Sequence, residues 1–431
     1  MVSFRESLRS LFYFSRVCGL APISINFKDI TEISTSKFGT IYSVLVGIAY
    51  GSFHVISSLF NLNEQDDSNI ITSVINYYNR YSRLALFWIC ILNAIVNQRR
   101  IVRAIRLIEN VDKLFASELN CRTNNVKFSR VVLLEIVIYL IATGALEWNN
   151  CLMYISGIGV YNNYCMTMCL IPLIVANADQ IFFINLVYLV KERLAIITKY
   201  LQQGTHLKKV PKIAEAHKIK GHVLKTVNML YHFEHEAESI KVKMVQSRNA
   251  KGYIKTLSLG YSRLYEATIL LNDAYGIPNV CTVFIRFVAL TTLAYSSCIR
   301  LLNLKNLDDT DNLMGHDERR ATKVPGIVGW ILLNFIEMVI FCFVCHQVKE
   351  EGQYVGAHLQ CFRVENTHSD EVDTMIDAFS RQIHHQRVEI RPCGFFIVDL
   401  TLIFSLIATV TTYIMILIQF DISQMPRHQV Q

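Results

Sequence analysis

Charge is scarce in this sequence. Of its 431 residues only 18% are Asp, Glu, Lys or Arg, against about 25% in a soluble globular chain. Charge is what a surface facing a bilayer cannot carry, so this shortage says more than the 52% of hydrophobic residues. Proline and glycine are also few, at 7 and 18. That excludes a collagen-like rod and a chain dominated by linkers or low-complexity segments. The 12 cysteines show no CxxC…CxxC spacing of a zinc site. Cys342 and Cys345 fall inside an apolar stretch, where small apolar filler is the better reading. No phosphate-cradling glycine loop, no HExxH and no serine nucleophile elbow occurs. Nothing points to an enzyme or a cofactor. An all-α integral membrane protein is what remains.

A bilayer core about 30 Å thick takes roughly 20 apolar residues in a helix. Seven stretches qualify: 40–60, a second running to Asn97 with its apolar part at 84–96, 131–155, 165–190, 276–302, 325–348 and 394–420. The second is the weakest, with Arg80 and Arg83 just before it and Asn93 inside; the amphipathic residues 70–78 can extend it. Residues 11–22 are apolar but interrupted by Arg16 and too short to span, so they read either as an interfacial helix or as a segment docked on the bundle.

An odd number of spans puts the termini on opposite sides, and Lys and Arg collect in cytosolic loops. One set of segments is basic: the N-terminus (Arg5, Arg9, Arg16), 98–130 (Arg99, Arg100, Arg103, Arg106 and four more cations), 191–275 and 349–393. The other set carries the acidic clusters Glu64/Asp66/Asp67 and Asp308/Asp309/Asp311. This predicts a cytosolic N-terminus and an extracellular C-terminus, opposite to rhodopsin-type receptors. The expected organisation is a cytosolic 1–39, four spans in 40–190, a cytosolic loop and helical extension in 191–275, two spans in 276–348, a cytosolic anchor helix in 349–393, a last span in 394–420 and an extracellular tail, 421–431. The net charge of +7 is then the sum of a basic cytosolic half and a nearly balanced outside. Lys208, Lys209, Lys212, Lys218, Lys220 and Lys225, interleaved with His217 and His222, read as an ordinary cytosolic loop rather than a nucleic-acid site. The apolar series Ile254, Leu257, Tyr261, Leu264, Tyr265, Thr268, Leu271 recurs at helical spacing and predicts a helix running unbroken into the fifth span. A second amphipathic run, 372–385, precedes the last span.

Polar residues inside the spans carry the most information, because an ionisable group in hydrocarbon costs about 2.5–3.5 kcal/mol on insertion scales. They are Asp179 and Gln180 in the fourth span, Arg286 in the fifth, Asn334 and Glu337 in the sixth, and Glu147 in the third. Two readings stay open. They line a water-filled ligand pocket with Trp88, Trp148, Tyr154, Tyr295 and Trp330, or they pair across helices and hold register; pairing with Glu337 or Asp179 is the better reading for Arg286. Cys151 and Cys165 flank the short outer segment between spans three and four, where a disulfide and two free thiols are both open.

The last span ends differently from the rest. Thr412-Tyr413 is followed by five large apolar residues and then Gln419-Phe420. Thr412, Ile416 and Gln419 share one helical stripe, at i, i+4 and i+7. A ring of such stripes makes a hydrophobic passage closed by an amide ring, and such constrictions can gate by dewetting; the plainer reading is a Gln that caps the span at the interface.

That segment resembles the C-terminal TYhhhhhQF motif of the insect gustatory receptor family. Val17-Cys18-Gly19-Leu20-Ala21-Pro22 is similar to the family's N-terminal Gly-Leu-Ala-Pro element. Arg391-Pro392-Cys393-Gly394-Phe395-Phe396, with Asp399 and Thr401-Leu402, is similar to its lead-in to the last helix, and Leu271-Asn272…Tyr275-Gly276-Ile277 is also familiar from it. The likeness extends to the fructose-receptor branch and to the broadly expressed branch that senses light, heat and nutrients, the latter more closely. It implies a plasma-membrane, multi-pass, ligand-gated, non-selective cation channel, assembled as a homotetramer or with related subunits around the seventh helices. Gln419 and Phe420 would sit at the gate, with Ile416 and Thr412 lining the same helix. A small-molecule tastant would bind each subunit among spans two to six, where Trp330, Asn334, Glu337, Gln180, Asp179, Trp88 and Tyr295 are the candidate contacts. A G-protein-coupled receptor is disfavoured: Asp-Arg-Tyr is missing from the third span's inner end and Asn-Pro-x-x-Tyr from the seventh. A transporter, suggested by Asp179, Arg286 and Glu337, would show an internal repeat, and none is visible.

Overall fold

The computed structural model describes residues 4–24, 33–60, 70–121, 125–154, 159–204, 250–307, 323–365 and 370–424. The Lys208–Lys225 cluster, the two acidic clusters and the side chains of Cys151, Tyr154 and Cys165 lie outside the described residues. Two short helices, α1 (Phe4–Ser7) and α2 (Arg9–Val17), lead to a two-residue antiparallel pairing of β1 (Ile23–Ser24) with β2 (Ser34–Thr35). Seven long helices follow: α3 (Lys37–Phe60), α4 (Ile70–Glu118), α5 (Asn125–Tyr154), α6 (Gly159–Gly204), α7 (Ala250–Leu307), α8 (Lys323–Glu365) and, after the amphipathic α9 (Asp370–His385), α10 (Leu400–Gln424). Each of the seven holds a segment long and apolar enough to cross a membrane.

Four of these helices run far beyond a bilayer's thickness. At 1.5 Å per residue, the 58 residues of α7 reach about 87 Å, so the apolar series at 251–275 and the fifth span lie on one helix. The long continuations pack together at one end of the bundle, here called the lower end. It comprises the last turns of α4, α6 and α8, the first turns of α5 and α7, and α9. Ile254, Leu257, Tyr261, Leu264, Thr268 and Leu271 are buried there, with Tyr265 at the rim. They meet Phe115 of α4, Leu194 and Ile197 of α6, Val355 and Leu359 of α8 and Ile376 and Phe379 of α9. Outside a bilayer each such aliphatic side chain contributes about 1.5–3 kcal/mol on burial, which stabilises the continuations as a water-side core.

Several charges at this end are paired. Arg193 forks onto Asp112 at 2.8 and 3.0 Å, Arg5 meets Glu109 at 3.0 Å, and Arg363 meets Asp377 at 2.6 Å. The Arg5–Glu109 contact, with Leu8, Leu11 and Phe12 fully buried, shows that residues 4–22 are docked on α4, α5 and α6 rather than lying free at an interface.

Between the apolar segments the packing relies on small residues, because helices in lipid gain little from hydrophobicity and more from close approach. A Cβ at Gly51 of α3 would stand 2.7 Å from the Trp88 ring of α4, and one at Gly329 of α8 would stand 2.6 Å from Leu146 of α5. The last helix starts at Leu400 rather than at Gly394. Cys393 and Gly394 adopt left-handed φ of 50° and 74°, a conformation that ends helical continuity, and Asp399 then restarts it as the cap of α10.

Candidate functional site

Gln180, Arg286 and Glu337, with Asn177 and Tyr139, form one linked cluster across α5, α6, α7 and α8. Arg286 of α7 is buried. Its Nη2 donates to Asn177 Oδ1 at 2.7 Å and to Gln180 Oε1 at 2.5 Å on α6. Its Nη1 lies 2.5 Å from Glu337 Oε2 on α8. Asn177 passes the network on to the Tyr139 hydroxyl of α5, which reaches the Leu173 carbonyl at 3.4 Å. A cation in hydrocarbon needs such partners; α6 and α8 supply them directly and α5 extends the network through Asn177. The cluster is not closed: Glu337 Oε1 meets no hydrogen-bond donor among the described residues.

Gln180 and Glu337 are thus brought together by Arg286, and Arg286 pairs with Glu337. Asp179 does not join them. It points about 100° away from Gln180 on the helix and takes a hydrogen bond from the Cys90 thiol of α4. Trp330, Asn334 and Glu337 share one face of α8 at i, i+4 and i+7. Trp330 is buried, and the Asn334 amide donates to its carbonyl at 2.8 Å. Above the ring of Trp330 sits the Arg83 guanidinium, 6.0 Å from the centroid, ion-paired with the fully buried Glu147 at 3.0 Å. Trp88 packs on Gly47 and Gly51 of α3. Tyr295 is buried on α7, at i+9 from Arg286 and so on the opposite side of that helix. Asn177 and Tyr139 were missed by sequence reasoning; the signal was Asn177 three residues before Gln180, on the same helical face. Among the described residues no group of three or more His, Cys, Asp or Glu is placed to hold a metal.

The last helix stands apart. Only 6% of its apolar segment is buried, against 78% of that in α6. Its inner side, with Ile403 and Leu406 buried and Tyr413 edge-on to Phe287 at 5.8 Å, packs on the bundle. Roughly 120° around the helix, Ser405, Thr409, Thr412, Ile416 and Gln419 form a continuous stripe at i, i+4, i+7, i+11 and i+14, and all five are exposed. Phe420, beside it, is 51% exposed.

The start of this helix is held by side chains from three elements. Asp399 accepts from the Thr401 backbone N–H at 2.9 Å and from its hydroxyl at 2.5 Å, an N-cap, and from Lys349 of α8 at 3.0 Å. Asn272 of α7 donates to the Glu389 carbonyl at 2.9 Å and accepts from the Arg391 N–H at 3.0 Å. A Cβ at Gly276 would stand 2.9 Å from Cys393 Sγ, so only glycine lets the 392–394 turn approach α7. The two sequence elements singled out ahead of the fifth and seventh spans therefore recognise each other.

A family model described as 7tm Chemosensory receptor matches residues 8–424. The chain belongs to that family. Among curated proteins the receptor is similar to gustatory receptor 28a of Drosophila melanogaster, at 23% identity over 96% of this chain and 91% of that one. It is also similar to gustatory receptor 28b of the same organism, at 21% over 96% and 85%. The match with gustatory receptor 2a reaches 25% but spans 59% of the receptor and 56% of that relative. The fold resembles the insect olfactory receptor OR5 from Machilis hrabei, free and in complex with eugenol. The TM-score is 0.60, at 16–17% identity, with 96% of this chain and 98% of that chain covered. The receptor is a multi-pass protein of the plasma membrane, its seven helices crossing the bilayer.

Proposed function

We propose that the receptor is a ligand-gated, non-selective cation channel: a tetramer whose α10 helices line a central pore. In this reading the N-terminus and the lower end face the cytosol, and a small molecule opens the pore from an outward-facing pocket among α4–α8. The observation that carries the reading is the exposed stripe on α10. Four of its five positions carry a hydroxyl or an amide, a poor lipid face that suits a water-filled passage narrowing at Ile416 and Gln419, with Thr412 on the cytosolic side and Phe420 at the outer rim. Membership of a chemosensory family and a fold shared with an olfactory receptor that binds eugenol support the ligand side. Within the pocket the α8 face of Trp330, Asn334 and Glu337, with Gln180, is the best-supported contact set. Glu337 keeps an oxygen to accept a hydroxyl, and Trp330 offers a ring to the C–H surface of a sugar or similar nutrient. Trp88, Asp179 and Tyr295 serve this site through packing of its walls. The test is expression alone in a non-neuronal cell: ligand should evoke cation current without G-protein signalling, and Gln419→Ala should change conductance or gating at unchanged surface expression. Current indistinguishable from wild type would remove Gln419 from the gate.

A further inference from the structure

At the lower end, a cavity of about 410 Å³ opens between one face of α7 (Thr268 and Asn272), the end of α9 (His384 and His385) and the strap that follows it (Arg387, Glu389 and Arg391). Its donors are largely unspent. Arg387 makes no hydrogen bond or ion pair among the described residues, and neither imidazole does more than lie edge-on to the other at 5.6 Å. Arg391 is partly committed, to Glu389 at 2.6 Å. The negative ends of nearby peptides are already covered: Tyr261 donates to the Gln386 carbonyl at 2.8 Å and Asn272 to that of Glu389. The end of α9 therefore opposes an anion less than a bare helix C-terminus would.

The geometry points to a binding site for a phosphoryl group in this cavity, held by Arg387 and Arg391 with the two histidines as further donors. A planar guanidinium fork suits phosphate oxygens, and the volume fits a phosphorylated ring rather than an isolated ion. Thr268 and Asn272 precede the start of the fifth span at Gly276 by 8 and 4 residues, or about 6–12 Å of helix. The headgroup layer is about 5–8 Å deep, which puts Asn272 within it and Thr268 just on its water side, so with the lower end facing the cytosol the phosphoryl group belongs to an anionic inner-leaflet lipid such as a phosphoinositide, or to a soluble inositol phosphate. Because the same strap leads directly to Asp399 and α10, an occupant tying Arg387 and Arg391 together stiffens the segment from which the last helix starts.

The full-length receptor, purified in detergent, is titrated with a short-chain phosphatidylinositol bisphosphate, with inositol trisphosphate and with phosphatidylcholine of matched chain length. The site predicts saturable binding of the first, none of the third, and about tenfold weaker binding in Arg387→Gln and in His384→Gln/His385→Gln. Arg381→Gln, on the same helix but outside the cavity, should bind as wild type. Binding of inositol trisphosphate as tight as that of the lipid assigns the site to the soluble source. Binding unchanged in Arg387→Gln, or lost equally in Arg381→Gln, overturns the site. So does an Arg387→Gln protein that keeps its lipid but loses its oligomeric state, which would make the cavity a contact between subunits. The readout is binding alone, so it stands or falls separately from the channel reading.

Discussion

Asn272 on α7 holds the backbone on both sides of Ile390. Its amide donates to the Glu389 carbonyl at 2.9 Å and accepts from the Arg391 N–H at 3.0 Å. Both polar atoms of one side chain are spent on the strap that leads to the last helix, a link that should transmit movement of α7 to the start of α10. Asn272→Ala leaves a carbonyl and an N–H without partners, at about 1–3 kcal/mol each if water cannot replace them. The expected outcome is a thermal midpoint lowered by several degrees and, in cells, a ligand response reduced at the same surface expression. An unchanged dose–response curve would show that the strap does not carry the signal.

Breaking the Arg286–Glu337 contact should be more costly than removing both charges. Loss of one partner of a buried pair costs about 3–5 kcal/mol because the other charge stays unpaired. Glu337→Gln and Arg286→Gln should each reduce folded yield sharply, and the double substitution should recover part of it. Additive losses, measured as monodisperse yield in detergent, would mean that the two side chains act independently.

Trp88 fills the space that Gly47 and Gly51 leave on α3. Gly51→Val should destabilise the receptor by about 1–3 kcal/mol through overpacking, and Trp88→Leu in the same protein should restore part of the loss. Thermal unfolding of the four proteins closes the cycle.

Asp399 gives stability a defined pH dependence. Burial pushes its carboxyl up, but the Thr401 hydroxyl and N–H and the Lys349 ammonium outweigh this and hold it below the usual aspartate value of 3.8. A group with a depressed folded value stabilises fully above its unfolded value and loses that contribution as pH falls through the folded one. Wild type should therefore be more stable than Asp399→Asn at neutral pH, with the two curves converging below about pH 4. A gap that persists into strong acid would assign the difference to the cap's shape instead of its charge.

Much of this architecture is legible in the chain because its signals are long. Seven apolar stretches and the i, i+3, i+7 series from Ile254 to Leu271 need no partner to be seen. The Arg286–Glu337 pairing follows from the cost of charge in hydrocarbon, which forces a partner and leaves few choices. Less visible was what depends on rotation about a helix axis. Asp179 and Gln180 are neighbours in sequence yet face α4 and α7 respectively. Ser405 and Thr409 extend the stripe of Thr412 and Gln419, but single hydroxyls in an apolar helix bond back to their own carbonyls, as Thr409 does to Ser405 at 2.7 Å, and carry no local sign of function. The start of α10 at Leu400 depended on two left-handed residues, of which Cys393 is not a type that advertises the conformation.

The stripe on α10 is tested most directly by thiol labelling during recorded current. In a background without accessible native cysteines, Thr409→Cys, Thr412→Cys and Gln419→Cys are exposed to a positively charged methanethiosulfonate in an active receptor, with Ile403→Cys and Val410→Cys from the opposite side as controls. A pore lined by α10 predicts that reagent reduces current at the three stripe positions and leaves the two controls unaffected. Equal effects on both sides, or none at Thr412 and Gln419, would contradict a pore lined by this helix.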